Sequence, residues 1–119
     1  MGADLYIEGV AGDDGHFRDA YNAGNVLWTL GLSWWRDVKP MLDGDGNLTG
    51  DILVKFRDVV ANAEQRYPTK SELVVRGGKV DTGNDSVVSW HKYFANKRQA
   101  LLDYLNRAIE LKASIRCSL

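Results

Sequence analysis

Apolar and polar residues change period along the chain, and each change marks an element. Leu5, Ile7 and Gly9 alternate with Asp4, Tyr6 and Glu8, the two-residue period of a half-buried strand. A turn-rich loop, Ala11-Gly12-Asp13-Asp14-Gly15, leads to a polar cluster from His16 to Asn22. From Asn25, a good N-cap, Leu27, Leu30, Trp34, Val38 and Met41 recur at three and four, which predicts a helix with one buried face. Gly31 weakens that helix by about 1 kcal/mol relative to alanine and is the candidate point for a break into two shorter ones. Pro40 ends or kinks it.

Leu42 to Gly50 reads as a second loop, with Asn47 or Thr49 available to cap the next helix. The set Ile52, Leu53, Phe56, Val59, Val60, Ala63 and Tyr67 then predicts an amphipathic helix from Asp51 to Tyr67, stopped by Pro68. Residues 69–85 leave two readings open. Leu73 to Val80 around Gly77-Gly78 suits a short hairpin, whereas Ser71-Glu72 suits the start of a helical turn. Asp81 to Ser86 reads as a polar loop. The strongest periodicity runs from about Asp85 to Lys112, with Asp85 or Ser86 as cap and Val87, Trp90, Phe94, Leu101, Leu105, Ala108 and Ile109 on one face. Ile115 to Leu119 suits a strand that pairs with the N-terminal one. The pattern therefore predicts an α-dominated α+β fold: three main helices around one core, with a small edge sheet using the N-terminal segment.

A length of 119 residues predicts a single globular domain over 1–119, large enough to bury a core without disulfides or a structural metal. Fifteen basic residues against sixteen acidic ones leave a net charge of −1, so no overall field draws the chain to duplex nucleic acid or to membrane. No apolar run approaches the ~18 residues of a membrane span, and the first residues lack the pattern of a signal peptide. The single cysteine, Cys117, agrees with a reducing compartment, and the expected location is a bacterial cytoplasm.

Candidate chemistry is sparse. Asp43-Gly44-Asp45-Gly46-Asn47 has the opening of a calcium loop, but Leu48 stands where that loop needs glycine and Val54 where it needs a bidentate glutamate. A Gly-rich turn is the better reading. His16 and His91 lack the spacing of a helical zinc motif, and Cys117 has only Arg116 beside it, with no base. No metal, cofactor or catalytic residue is therefore expected. Arg98 interrupts the apolar stripe between Phe94 and Leu101. It either snorkels to water or is held inside by a carboxylate, with Asp4 and Asp19 the natural candidates.

The stretch from Gly15 to Leu42 carries the remaining signal. Its tryptophans, Trp28 among them, read first as core packing, since large aromatics supply much of the apolar area a small domain buries. Neighbouring tryptophans on a helix point about 100° apart, so Trp34 and Trp35 do not share the centre of one face, and Trp35 belongs at the rim beside Arg36. Arg18, Asp19, Tyr21 and Asn22 are many hydrogen-bonding groups for a turn that only links a loop to a helix. They form either a shallow ligand or partner site with Trp35 and Arg36, or an internal network in which Asp19 holds an arginine.

The opening M-G-A-D-L-Y-I, followed by H-F-R-D-A-Y-N and L-G-L-S-W-W-R-D-V, resembles a group of small uncharacterised proteins encoded by bacteriophages and bacteria. The resemblance covers about the first 40 residues and extends to the final I-R-C-S-L. It implies a phage or mobile-element setting and carries no activity with it. It also implies a non-catalytic binding protein that inhibits a host antiviral system, either by covering a host or phage protein or by sequestering a nucleotide-like signal. Nucleotide capture needs aromatic faces for the base and arginine for phosphate, both present between Arg18 and Arg36. Two alternatives are a small enzyme acting on a nucleotide or phosphate ester, with Asp4, Asp19 and His16 or His91 as acid and base, and an assembly protein that forms an oligomer through a tryptophan face.

Overall fold

The computed structural model describes residues 2–20, 25–75 and 87–119. Alternation at the two ends of the chain builds the sheet. In β1 (Gly2–Ile7), Ala3, Leu5 and Ile7 are buried while Asp4 and Tyr6 turn outward; in β4 (Ile115–Ser118), Ile115 and Cys117 point inward. The two strands pair antiparallel, with Leu5 opposite Cys117 and Ile7 opposite Ile115, as their alternation anticipates. Among the described residues the sheet has four antiparallel strands in the order β2 (His16–Ala20), β1, β4, β3 (Asn47–Leu48), so the N-terminal strand is interior to it.

The second strand, β2 (His16–Ala20), corrects the reading of residues 16–20 as part of a linking turn. It pairs along β1 with Phe17 opposite Leu5, Phe17 and Asp19 facing inward, and Arg18 exposed. The period of two is present in the sequence, but an inward position holds a carboxylate instead of an apolar residue. A two-residue strand, β3 (Asn47–Leu48), completes the sheet beside β4. The loop before it closes on itself, because Asp43 Oδ1 accepts hydrogen bonds from the Asp45 and Asn47 backbone N–H groups, each at 2.9 Å. That is turn chemistry and agrees with the Gly-rich turn.

Two long helices cover the inner face. Leu53, Phe56 and Val60 of α2 (Gly50–Asn62) and Phe94, Leu101, Tyr104, Leu105 and Ala108 of α4 (Val87–Glu110) are the buried positions of their helices. Shorter helices, α1 (Val26–Thr29) and α3 (Lys70–Val75), precede each of them in the chain. Each large apolar side chain fully buried here contributes about 1.5–3 kcal/mol. Tyr104 also donates from its hydroxyl to the Gly15 carbonyl at 2.8 Å, tying α4 to the start of β2.

The third helical region is a succession of short pieces. Helix α1 is capped by Asn25, whose Oδ1 accepts from Trp28 N at 3.1 Å. Gly31 then adopts a φ of +72°, which only glycine takes without strain, and the chain restarts as a π-helical segment, Trp34–Val38, running into a 3-10 turn, Lys39–Met41. The break expected at Gly31 is where the helix divides.

Helix α2 is shorter than its apolar stripe predicts. It ends at Asn62 rather than Tyr67, and Tyr67 is exposed. Arg98 explains the early stop, since its guanidinium donates to the carbonyls of Val60, Ala61 and Ala63 and closes the helix end. This replaces the expected carboxylate partner: neither Asp4 nor Asp19 reaches Arg98. In 69–85, the described part is helical. Thr69 and Glu72 form a reciprocal cap on α3, Thr69 N to Glu72 Oε1 at 3.1 Å and Glu72 N to Thr69 Oγ1 at 3.3 Å. The rest of that hairpin, the 81–86 loop and the cap at Asp85 or Ser86 lie outside the described residues.

Candidate functional site

Of the six residues expected to form a site, four are described, and of these Arg18 and Asp19 stand apart from Trp35 and Arg36. Arg18 stands on the outer face of the sheet, where it donates to Asp4 Oδ2 at 2.6 Å. His16 holds the other Asp4 oxygen at 2.9 Å and stacks on Tyr6 with ring centroids 5.0 Å apart. Partial burial works against ionisation of Asp4, but the His16 and Arg18 hydrogen bonds prevail and hold its carboxyl below the usual carboxylate range. Tyr21 and Asn22 lie outside the described residues.

Asp19 is fully buried and serves the scaffold. Its carboxylate accepts from Trp34 Nε1 at 2.7 Å and from Val26 N at 2.8 Å, with Leu27 N a further donor, so it joins β2, α1 and the π-helical segment at one point. Burial pushes its pKa up, against the opposing pull of these donors and of the Lys97 charge. An internal network does form around Asp19, but its partner is an indole and a helix end rather than an arginine.

Trp35 and Arg36 do come together, in a cleft of about 520 Å³. That volume falls in the ~300–1,000 Å³ range of small-molecule sites. Trp34 is buried at 1% exposure and Trp35 is 47% exposed, the division that the angle between neighbouring helical residues predicts. Trp28, Gly31, Ser33 and Arg66 complete the working part of the wall. Among the described residues, no histidine, carboxylate or cysteine lines it.

Local structure holds each of these groups. The Ser33 hydroxyl accepts from Arg36 N at 3.3 Å, and Ser33 N donates to Asp37 Oδ2 at 2.8 Å, which fixes the first turn of the π-helical segment. Arg36 donates from Nη2 to Asp37 Oδ2 at 2.7 Å and to the Gly31 carbonyl at 3.0 Å. The hydrogen bond from Arg36 keeps Asp37 ionised, with its pKa below the ordinary value. Arg66 arrives from a segment 35 residues beyond Gly31, and it is placed by its own backbone, whose N–H donates to the Thr29 carbonyl at 2.8 Å. Gln65 Nε2 adds a bond to Thr29 Oγ1 at 2.9 Å.

Trp28 and Arg66 are the lining residues that the pattern does not single out. Trp28, which reads as core packing, is half-buried against Phe94 and also faces the cleft. For Arg66 the signal in the sequence is weak: the apolar stripe reads it as a polar position near the end of a helix running to Tyr67, whereas α2 ends at Asn62.

The other candidates are satisfied where they stand. His91 Nε2 donates to the Pro68 carbonyl at 2.9 Å, whereas His16 is engaged on the sheet by Asp4. Burial pushes the Cys117 thiol up to about 12, which leaves it inert at neutral pH. The described residues contain no group of three or more potential metal ligands and no helix long and apolar enough to cross a membrane. Compared with protein families, with curated proteins and with solved structures, the chain matches none.

Proposed function

We propose that the protein is a non-catalytic binding protein and that the cleft walled by Trp28, Trp35, Arg36 and Arg66 is where it takes a small anionic ligand. One observation carries the reading: among the described residues, the Arg66 guanidinium has no carboxylate partner, although it is held at the wall of a cleft of ligand size. A positive charge without an ion-pair partner beside aromatic surface is what anion capture needs. Among the described residues no acid–base pair lines the cleft, which favours binding over turnover. In the phage setting that the sequence resemblance implies, such a protein acts by withholding a host signal from an antiviral system. That part of the proposal rests on the resemblance alone.

Thermal denaturation against a panel of anions, namely inorganic phosphate, pyrophosphate, citrate and nucleotides, tests the reading. At least one multiply charged anion is expected to raise the melting temperature of the wild type saturably while leaving Arg66→Glu unmoved. If no anion separates the two proteins, the cleft is not an anion site.

A further inference from the structure

Gly31 is the point on which the charges of the cleft converge. Arg36 Nη2 donates to its carbonyl at 3.0 Å, and Arg66 Nη2 lies 2.8 Å from where a β-carbon on Gly31 would stand. Two guanidinium groups therefore flank one glycine. Asp37 pairs with Arg36, whereas among the described residues no carboxylate forms an ion pair with Arg66, Glu72 lining only the smaller hollow next to it. The planar guanidinium fork of Arg66 matches the oxygens of a phosphate.

Aromatic surface adjoins this pair on one side. Lys39 Nζ sits 3.7 Å from the centroid of the Trp35 ring, and the half-exposed Trp35 lines the cleft. The indole of Trp28 borders the same space. Arg66 and Trp28 also wall a smaller neighbouring hollow of about 150 Å³, together with Glu72. A ligand that fits must carry a flat ring and, a short distance from it, a phosphate.

Resting on the reading of the cleft as an anion site, we infer that its ligand is a free nucleotide, the base stacked on Trp35 and the phosphate held by Arg66 with Arg36 beside it. A free nucleotide is favoured over a nucleic-acid strand because the net charge of −1 supplies no attraction for a polyanion. Gly31 is then a positioning residue. A side chain there displaces Arg66, and the φ of +72° makes any such side chain strained as well.

The test is a fluorescence titration of the full chain, reading quenching of tryptophan emission, with mononucleotides, the matching nucleosides, inorganic phosphate and a short single-stranded oligonucleotide. At least one mononucleotide is expected to bind about tenfold or more tighter than either its nucleoside or phosphate. Arg66→Gln and Trp35→Leu should each lose about tenfold or more, with circular dichroism confirming that both remain folded. Mononucleotides that bind no tighter than phosphate, with phosphate binding still dependent on Arg66, overturn the nucleotide and leave the anion site standing. An oligonucleotide that binds tighter than the mononucleotide overturns the free ligand. No saturable titration with any probe overturns both readings.

Discussion

Asp19 joins three elements through one buried carboxylate, so its removal tests the fold directly. Truncation by Asp19→Ala leaves Val26 N, Leu27 N and Trp34 Nε1 without their acceptor in a region where Asp19 is fully buried and Trp34 is 1% exposed. A buried donor left alone costs ~1–3 kcal/mol. Relief of the desolvation of the carboxylate, and water entering the space it vacates, return part of that sum. The net loss expected is about 2–4 kcal/mol, a large share of the ~5–15 kcal/mol that stabilises a typical domain. Urea unfolding followed by circular dichroism measures it, with an unchanged m-value marking a stability effect rather than a change of compactness.

A double-mutant cycle isolates the mechanism. Asp19→Asn keeps the shape and one acceptor oxygen but turns an amide N–H₂ toward one of the donors. In a Trp34→Phe background the indole donor is gone, so the same substitution should cost at least ~1 kcal/mol less. A loss below ~1 kcal/mol for Asp19→Ala, or a cycle additive within ~0.5 kcal/mol, refutes the joint described around this carboxylate.

Three further outcomes are expected. Burial raises the folded pKa of Asp19 above the ~3.9 of an unfolded aspartate, so the folded state binds the extra proton. Wild-type stability relative to Asp19→Asn should therefore fall as pH rises from about 4 through the folded value, and a difference independent of pH refutes it. Arg98→Met, which removes the donors to Val60, Ala61 and Ala63, should cost about 1–3 kcal/mol and speed amide exchange at the end of α2; unchanged exchange there contradicts the capping role. Leu101→Ala in the buried face of α4 should cost about 2–5 kcal/mol in denaturant unfolding, and a loss under ~1 kcal/mol would remove Leu101 from the core.

The elements legible in the sequence are those whose buried positions are all apolar. Strands β1 and β4 alternate cleanly, and α4 keeps its period, so pattern alone places them and pairs the strands. Strand β2 has the same geometry, yet it reads as a polar cluster because its inward position after Phe17 is Asp19. The hydrogen-bonding capacity that makes residues 18–22 look like a surface site is thus partly spent inside, on Trp34 and on the first turn of α1. A buried polar joint and an exposed polar site have the same composition, and only the partners distinguish them.

The same limit applies to arginines. Arg98 interrupts an apolar stripe, which leaves open whether it snorkels or is held by a carboxylate; what holds it is a set of backbone carbonyls, groups that every residue carries and no sequence pattern displays. Arg66 is the converse case. Its place in the cleft comes from the Thr29 carbonyl accepting its backbone N–H, a contact between residues 37 apart that no local pattern announces. Trp35 and Arg36 could be placed at a rim from helical geometry because they share one short segment. Arg66, across the cleft, arrives by long-range backbone pairing, so its place beside Trp35 and Arg36 becomes visible only once the chain has folded.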